Sequence, residues 1–456
     1  MKMAKDILHG LELFRPGRLT LAYCLLVLLL TLSGAVARGS DRGPARPVEI
    51  TYWTGWSGHE LAVQKEIIAA FEQSHPNIRV NIMSVAGSYE KVTISFAAGN
   101  PPDLMSSVWL DDLAAYAARG ALRPLDPFLQ RSGRNVDDEY LPALAQGLRY
   151  CGRVWGLMVT VNAQFVVANS RLLREAGLDP DHPIETTEEL DAANERLAKF
   201  DVGGNLVRFG WRPNDLVLMG HVFGGQWYDT ATGKVTADDP RNVEALGYLA
   251  SYAQKYGAGR LLAYENALSG TNLGYVSDIG NFAGLFGGHA GMLLTGEWCE
   301  EFIRRYAPKD FEYTVFAIPA PSNGRKNAIR VNGSVFVIPR DAKHPEEAWE
   351  LLNYLTSPDA VKWFCLGIKN MPPLRRLLED PAFRSSPIMR FSADLLKNSN
   401  ALAPPPMPVW SYYVSEINRA QQAAFVRGVD PKQALLEVRQ NVEQRLRDAL
   451  RYAEIK

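Results

Sequence analysis

Cysteine is scarce in this sequence, with four residues in a chain of 456, and this excludes a fold held together by disulfide bonds. Neither charge is in excess, because 49 Lys and Arg residues face 50 Asp and Glu residues, so no nucleic-acid-binding surface is expected. Apolar residues make up 47% of the chain and charged residues 22%. These are values of globular proteins, and they exclude a polytopic membrane protein.

Catalytic and cofactor motifs are absent as well. The sequence contains no HExxH, no CxxC, no GxxxxGK and no EF-hand loop, and its seven His residues are scattered without metal-ligand spacing. Gly55–Gly58 is one residue short of a G-x-S-x-G nucleophile elbow and has no suitably placed His. We therefore expect no metal, no cofactor and no hydrolase of this type; the expectation that the protein is not an enzyme comes from the family resemblance given below.

The amino-terminal segment has the features of an export signal. Four basic residues precede an apolar run at Leu19–Leu32, and an A-x-A pattern ends at Ala37. This predicts a secretory signal peptide that is cleaved after Ala37. The alternative is an uncleaved anchor, since residues 19–37 are about long enough to span a bilayer. Three cysteines follow this segment, so at least one thiol is free or pairs outside the chain.

The remaining chain alternates between strand and helix patterns. Val48–Trp53 alternates as a strand, residues 60–73 carry a helical apolar face, and residues 78–82 alternate again, which predicts a βαβ unit. Residues 157–168 are interpreted as one long strand, and Thr186 with Glu189 as a helix-opening capping box. The pattern predicts open α/β sheets, two of them because of the length.

Tryptophans stand where strands end and in loops. Trp56 follows the first strand, Trp109 ends a later one, and Trp298 and Trp410 lie in loop-like settings. Ligands bind at the carboxyl ends of strands in open α/β folds, and an indole face stacks on the apolar face of a sugar ring. The alternative for each is packing in the core, which is the interpretation given to Trp349 and Trp363.

Short motifs in a fixed order resemble one family. Ala97–Leu104 contains its A-x-G-x-x-P-D motif, Gly120–Asp126 its G-x-L-x-P-L-D, Gly291–Trp298 its A-M-x-x-x-G-x-W, and Asn332–Ser334 its G-G-S. From about Val48 to Leu450 the chain resembles the carbohydrate-type extracellular solute-binding proteins of ABC importers, the maltose-binding-like family.

The resemblance implies a two-lobed α/β periplasmic-binding-protein fold, with two open sheets joined by a multi-crossing hinge and the ligand in the cleft. The implied divisions are residues 1–37 as signal peptide, 38–47 as linker, 48–160 as first part of the N-lobe, 161–317 as first part of the C-lobe, 318–370 as second part of the N-lobe, and 371–456 as the helical end of the C-lobe.

The resemblance also implies a function. The protein is expected to be the periplasmic substrate-binding component of an ABC sugar importer, a monomer that captures a mono- or oligosaccharide, a sugar phosphate or a polyol by lobe closure. It then delivers the ligand to the permease in the inner membrane. The implied ligand-binding residues are Trp56, Ser57, Trp109, Asn162, Arg212, Asn214, Trp298, Asn332, Gly333, Ser334 and Trp410.

Three questions stay open in the sequence. Arg212 suggests an acidic or phosphorylated ligand, because guanidinium binds such groups bidentately, but a salt bridge within the protein explains it equally. An exported glycan-active enzyme is the alternative function, with Asp111 and Glu297 as the carboxylate pair. A third alternative is an adhesion or sensor module that uses residues 19–37 as a stalk.

Overall fold

Strands and helices alternate as the residue pattern predicts. The computed structural model describes residues 46–269, 280 and 282–454, so the predicted signal peptide and most of the linker lie outside the described residues. Contacts divide the chain into residues 1–48 and 49–456. The second unit contains the two sheets described below, on which the N-lobe and the C-lobe are built.

The strands, numbered in chain order, are β1 (Val48–Thr54), β2 (Ile78–Ser84), β3 (Leu104–Trp109), β4 (Arg149–Tyr150), β5 (Arg153–Val154), β6 (Leu157–Met158), β7 (Phe165–Asn169), β8 (Lys199–Phe200), β9 (Leu206–Arg208), β10 (Tyr228–Asp229), β11 (Lys234–Val235), β12 (Met292–Thr295), β13 (Tyr313–Phe316), β14 (Ala328–Arg330), β15 (Ser334–Val337) and β16 (Asn400–Leu402).

The helices are α1 (Gly58–Ser74), α2 (Tyr89–Ala97), α3 (Leu110–Ala118), α4 (Asp126–Ser132), α5 (Val136–Glu139), α6 (Pro142–Gly147), α7 (Ser170–Glu175), α8 (Thr187–Leu197), α9 (Leu216–Val222), α10 (Pro240–Tyr256), α11 (Ala258–Ser269), α12 (Phe282–Phe286), α13 (Cys299–Tyr306), α14 (Pro345–Leu355), α15 (Pro358–Ile368), α16 (Pro387–Lys397), α17 (Trp410–Arg427) and α18 (Pro431–Glu454). Two 3₁₀ segments lie at Arg375–Glu379 and Pro381–Arg384.

The N-lobe is built on a five-stranded sheet with the order β2-β1-β3-β15-β6. Strands β1 and β3 are parallel, with Tyr52 opposite Leu104, whereas β15 runs antiparallel to both β3 and β6. Helix α1 buries Ile67 and Phe71 and packs against α14 and α15. The predicted first βαβ unit is therefore present.

The C-lobe is built on a three-stranded antiparallel sheet with the order β12-β7-β13. Its core joins that sheet to α9, α10, α17 and α18, through residues such as Val166, Leu246 and Tyr413. Leu435, Val438, Val442 and Leu446 form an apolar stripe on α18 that is buried in this core, whereas Leu450 is 44% exposed.

The predicted long strand at residues 157–168 is wrong, because the structure divides it into β6 and β7. Between them the chain leaves the N-lobe sheet for the C-lobe sheet and pairs with distant segments. The amide of Val161 donates to the carbonyl of Met371 at 3.0 Å, and that of Asn162 to the carbonyl of Asn332 at 3.2 Å. Partners remote in sequence interrupt a run that by composition favours one strand.

Two other local predictions have different outcomes. The capping box of α8 is confirmed, since Thr186 and Glu189 bond reciprocally. Trp349 is buried against Phe128 as expected, with ring centroids 5.2 Å apart, but Trp363 is 43% exposed and the prediction of a core position for it is wrong. Among the described residues, no helix combines the length and apolar character that crossing a membrane requires.

The aspartate of the P-P-D motif ties three segments of the N-lobe together. Asp103 is 4% exposed. One carboxylate oxygen accepts hydrogen bonds from the amide and hydroxyl of Thr51, at 2.8 and 2.9 Å. The other accepts from the amides of Lys343 and His344, both at 2.9 Å. The motif thus closes the sheet onto the segment that opens α14.

We expect Asp103→Asn to lower the free energy of unfolding by about 2–3 kcal/mol, because an amide nitrogen would face backbone N–H donors. Urea denaturation followed by circular dichroism measures the change. The control is Asp181→Asn at an exposed position, with an expected change below about 0.5 kcal/mol. Equal effects of the two substitutions would contradict the assigned role of Asp103.

Candidate ligand-binding cleft

Two parallel strands of the N-lobe sheet end side by side. Trp56 follows β1 and Trp109 closes β3, so both lie near the same edge of the sheet. The backbones approach closely there, since a Cβ on Gly55 would stand 3.3 Å from the Cα of Ser107. Trp109 is 39% exposed. This is the edge at which open α/β sheets bind ligands.

A cavity of about 840 Å³ opens beside this edge. Helices α2 and α3 of the N-lobe form one wall, and the start of α17 with the end of α18 forms the other. We call it the α3–α18 cavity. Its lining includes the aromatic residues Trp109, Tyr116 and Tyr412 and the polar residues Glu90, Ser107, Asp112, Arg119, Ser411, Arg445 and Asp448.

Ser107 is the buried polar residue of this lining. It is 6% exposed, and its hydroxyl has no hydrogen-bond partner among the described residues. A buried hydroxyl without a partner is costly, and nearly all such groups in proteins are satisfied. Ser107 therefore places an unsatisfied hydroxyl in the wall of the cavity.

Acidic groups outnumber basic groups in the lining, with Glu90, Asp112 and Asp448 against Arg119 and Arg445. Burial raises the pKa of Asp112 above its usual range, although the hydroxyl of Ser411, which donates to it, counteracts the shift. The guanidinium carbon of Arg445 lies 5.9 Å from the ring centroid of Tyr412. The cavity thus combines aromatic faces with groups that donate and accept hydrogen bonds.

Trp410 is placed in the core, so its prediction as a stacking platform is wrong. It is 1% exposed and lies edge-on to Tyr413, at 5.5 Å between centroids. Its indole N–H donates to Asp111 Oδ1 at 2.9 Å. The next residue but one, Tyr412, is the aromatic that reaches the cavity.

Asp111 joins the N-lobe to the segments that link the lobes. Its second oxygen accepts from Arg330 Nη2 at 2.8 Å and from Asn332 Nδ2 at 2.9 Å. Arg330 also lies 3.8 Å from Asp215, which caps α9 of the C-lobe. This carboxylate is therefore engaged by the protein and does not line the cavity.

The predicted cluster at residues 332–334, with Asn162, serves the protein rather than a ligand. Asn162 Oδ1 accepts from the amide of Asn332 at 2.7 Å. Asn332 Oδ1 accepts from the amides of Leu110 and Gly333. The hydroxyl of Ser334, 4% exposed, donates to the carbonyl of Ser106 at 2.7 Å. The prediction that residues 332–334 offer donors to a ligand is corrected, because these groups already have partners.

The close approach of a second linking segment explains why residue 333 is a glycine. A Cβ at this position would lie 2.4 Å from the carbonyl oxygen of Thr160, in the first crossing between the lobes. The glycine thus lets the two linking segments approach each other.

Trp56, Ser57 and Trp298 lie outside the lining of the α3–α18 cavity. Trp56 packs edge-on against Phe364 at 5.6 Å between centroids, and Ser57 is exposed in front of α1. Trp298 is partly exposed, and its ring folds back over Gly296, where a Cβ would stand 2.1 Å from Cζ3. The structure therefore brings Trp109, but not these three residues, into the cavity.

Arg212 and Asn214 line a smaller pocket of about 340 Å³ in the C-lobe. Arg212 is 8% exposed, and its Nε and Nη2 donate to the two carboxylate oxygens of Glu265 at 2.7 and 2.6 Å. Its guanidinium carbon lies 4.3 Å over the ring of Phe425. Glu265 occupies the bidentate face that an acidic ligand would need, so the salt-bridge alternative is the one observed.

Sequence reasoning missed Asp112, Tyr116 and Arg119, although their spacing was readable. With Trp109 they recur at intervals of three and four residues, which places them on one face of α3 next to the strand end. Tyr412, Arg445 and Asp448 had no such signal, because their position depends on how α17 and α18 pack.

The carboxylate pair of the enzyme alternative does not form. Asp111 is bound by Arg330, Asn332 and Trp410. Glu297 is 0% exposed and accepts the amides of Ala163 and Met371, at 2.9 and 3.3 Å. Neither acid lines the cavity, so no facing pair of catalytic carboxylates is built from them.

The sequence profile of the bacterial extracellular solute-binding proteins matches residues 56–362, about two thirds of the chain. The chain belongs to this family. A binding protein of Brucella abortus is 25% identical over 88% of this chain and 93% of that protein. An arabinooligosaccharide-binding protein of Bacillus subtilis is 22% identical over 78% and 81%. A protein solved with mannotriose bound is 25% identical, covers 86% of this chain and 99% of its own, and has a TM-score of 0.75.

These matches confirm the resemblance to the carbohydrate-type solute-binding proteins and the predicted two-lobed α/β fold. They also confirm that the chain is a binding protein and not an enzyme, since the members of this family and the structural neighbours are binding proteins.

We expect Trp410→Phe to lower the free energy of unfolding by about 2 kcal/mol, because it removes the N–H that Asp111 accepts and leaves part of a buried site unfilled. Denaturant titration measures the loss. Trp363→Phe on the exposed face of α15 is the control, with an expected change below about 0.5 kcal/mol. A loss no larger than that of the control would show that the Asp111 contact contributes little.

Proposed function

We propose that the protein is the substrate-binding component of an ABC importer and captures a neutral oligosaccharide in the α3–α18 cavity. The observation that carries this proposal is the lining itself. Trp109, Tyr116 and Tyr412 supply aromatic faces for the apolar sides of sugar rings. Ser107 and Asp112 supply partners for hydroxyl groups.

The size of the cavity supports a ligand longer than one sugar. Its volume of about 840 Å³ lies near the upper end of the range typical of small-molecule sites. The relatives agree, because one is named for arabinooligosaccharides and another was solved with mannotriose. An oligosaccharide uses several aromatic faces at once, whereas a single ring contacts one or two.

The charges favour a neutral ligand. Arg212, the residue that had suggested a phosphorylated or acidic sugar, is bound by Glu265. The α3–α18 cavity carries three carboxylates and two guanidinium groups. An added phosphate would meet more negative than positive groups at close range, and this opposes binding.

The origin of the two cavity walls supports capture by lobe closure. One wall belongs to the N-lobe and the other to helices of the C-lobe core, so a ligand that touches both favours the arrangement in which they are close. The closed form is then the one that delivers the ligand to the membrane permease.

We place the mature protein, which starts at Arg38, in the periplasm as a monomer. Its lobe boundaries are those expected from the sequence. Amino-terminal sequencing of exported protein tests the cleavage after Ala37.

The first test is a thermal shift of residues 38–456 against mannotriose, arabinotriose and maltotriose, with the monosaccharides and mannose 6-phosphate beside them. A ligand at 100 times its Kd adds about 2.7 kcal/mol to the stability of the folded state. We expect one trisaccharide to raise the Tm by a few degrees and the sugar phosphate to leave it unchanged. Stabilisation by the phosphate alone would contradict the proposal.

Trp109→Ala and Tyr412→Ala are expected to weaken trisaccharide binding at least about tenfold each, through the loss of stacking area. Isothermal titration calorimetry measures the affinities. Trp363→Ala is the matched control, because this indole is equally exposed but lies on α15, outside the cavity lining. The cavity is not the binding site if the control and the two variants bind alike.

Ser107→Ala is expected to weaken binding about five- to tenfold while the free energy of unfolding stays within about 0.5 kcal/mol, because its hydroxyl has no partner among the described residues to lose. The neighbouring Ser106→Ala provides the contrast. The Ser106 hydroxyl lies 2.6 Å from that of Tyr52, so this change lowers stability instead. Ser107→Ala protein with wild-type affinity would remove Ser107 from the site.

A further inference from the structure

Glu297 stands in the short loop between β12 and α13, next to Trp298. Its side chain is completely buried. One carboxylate oxygen, Oε2, accepts the amide of Ala163 at 2.9 Å, and the other, Oε1, accepts the amide of Met371 at 3.3 Å. Ligand capture in the α3–α18 cavity does not use this carboxylate.

The two amides belong to different segments that run between the lobes. Ala163 lies between β6 of the N-lobe sheet and β7 of the C-lobe sheet. Met371 follows α15, which packs on α1 of the N-lobe. It precedes α16, where the ring centroid of Phe391 lies 5.5 Å from that of Phe165 in β7 of the C-lobe. The segments also contact each other, since Val161 donates to the carbonyl of Met371. Glu297 thus fastens a C-lobe loop to two neighbouring linking segments.

The position of this loop also determines the position of the Trp298 side chain. The indole ring lies against Gly296, so closely that a Cβ there would be 2.1 Å from the ring. The indole therefore packs directly on the backbone of Gly296. A displacement of this backbone therefore displaces the ring, which is partly exposed.

We infer that Glu297 is a positioning residue whose carboxylate fixes the Trp298 loop on two of the segments that join the lobes, and that ligand affinity depends on its ionisation because these segments set how closely the two cavity walls approach. The inference rests on the proposed function for its ligand measurement. The local part, the hold on Ala163 and Met371, stands without any ligand.

The chemistry of the carboxyl group gives the direction. An ionised carboxylate accepts both amides, one on each oxygen. After protonation, one oxygen carries hydrogen and no longer serves as a good acceptor, so one of the two amides loses its partner. The hold on the linking segments is therefore stronger at high pH than at low pH.

The surroundings place this ionisation near neutrality. The titratable groups that face Glu297 are the buried thiols of Cys299 and Cys365, with Glu300 one turn away on α13. No cation pairs with Glu297 within the described parts of the chain. Burial raises the pKa of Glu297 to about 7, while the hydrogen bonds from Ala163 and Met371 counteract part of the shift.

The effect on overall stability has the opposite sign to the effect on the hold. Because the folded pKa lies above the unfolded value, this group stabilises the folded state at low pH, and that contribution is lost as the pH rises through about 7. As the pH rises, we thus expect the amides of Ala163 and Met371 to be held more strongly while the free energy of unfolding falls. A structure that loosened as a whole would show both quantities falling together.

The experiment compares wild type, Glu297→Gln and the control Glu301→Gln, a neighbour on α13 paired with Arg304 and Arg305. Hydrogen exchange by mass spectrometry follows peptides containing Ala163 and Met371 without ligand from pH 6 to 8, corrected for the intrinsic rate. We expect protection in wild type and in the control to rise several-fold over this range. In Glu297→Gln protein it stays low and flat.

Mannotriose affinity is measured over the same range by calorimetry, with an expected three- to tenfold tightening from pH 6 to 8 in wild type that Glu297→Gln abolishes. If mannotriose does not bind, the exchange measurement alone decides, and the proposed function is judged by its own panel of sugars. If Glu297→Gln does not fold, Glu297→Asp replaces it, with pH dependence kept and protection reduced. A pH profile of Glu297→Gln protein identical to that of wild type, or protection in Glu297→Asp protein as high as in wild type, overturns the inference.

Discussion

The hydrogen bonds of Asp111 connect the N-lobe with a linking segment and with a helix of the C-lobe. This carboxylate accepts hydrogen bonds from Arg330, Asn332 and Trp410, and so connects the start of α3 with a linking segment and with the start of α17. Its neighbour Asp112 faces the α3–α18 cavity instead. Two adjacent acids thus face different surroundings, Asp111 the linking segment and Asp112 the cavity, because successive residues of a helix point about 100° apart.

In the segments that join the lobes, polar side chains likewise bond within the protein. Asn162, Asn332 and Glu297 are polar, partly or fully buried, and bonded mainly to backbone amides. Irregular segments lack ladder partners, so side chains must satisfy their backbone groups. Polar residues that resemble ligand contacts in sequence are therefore needed here for the fold itself.

Local patterns explain what the sequence predicted well. The first βαβ unit and the capping box depend on residues within one or two turns, and the Asp103 motif marks where a strand begins. The break within residues 157–168 depends on Met371 and Asn332, about 200 residues away, and composition carries no trace of such partners. For the site, the rule about strand ends located Trp109. The expectation for Trp410 rested on a loop-like setting and on the family resemblance, and it failed because the packing of α17 against the C-lobe core buries this residue.

The last helix supplies Arg445 and Asp448 to a cavity whose opposite wall contains Ser107 and Trp109. Most of the chain therefore separates the two walls in sequence. Because synthesis runs from the amino terminus, the N-lobe wall is made long before its counterpart. The cavity is completed only when nearly the whole chain has been made, so a partly synthesised molecule has no finished cavity.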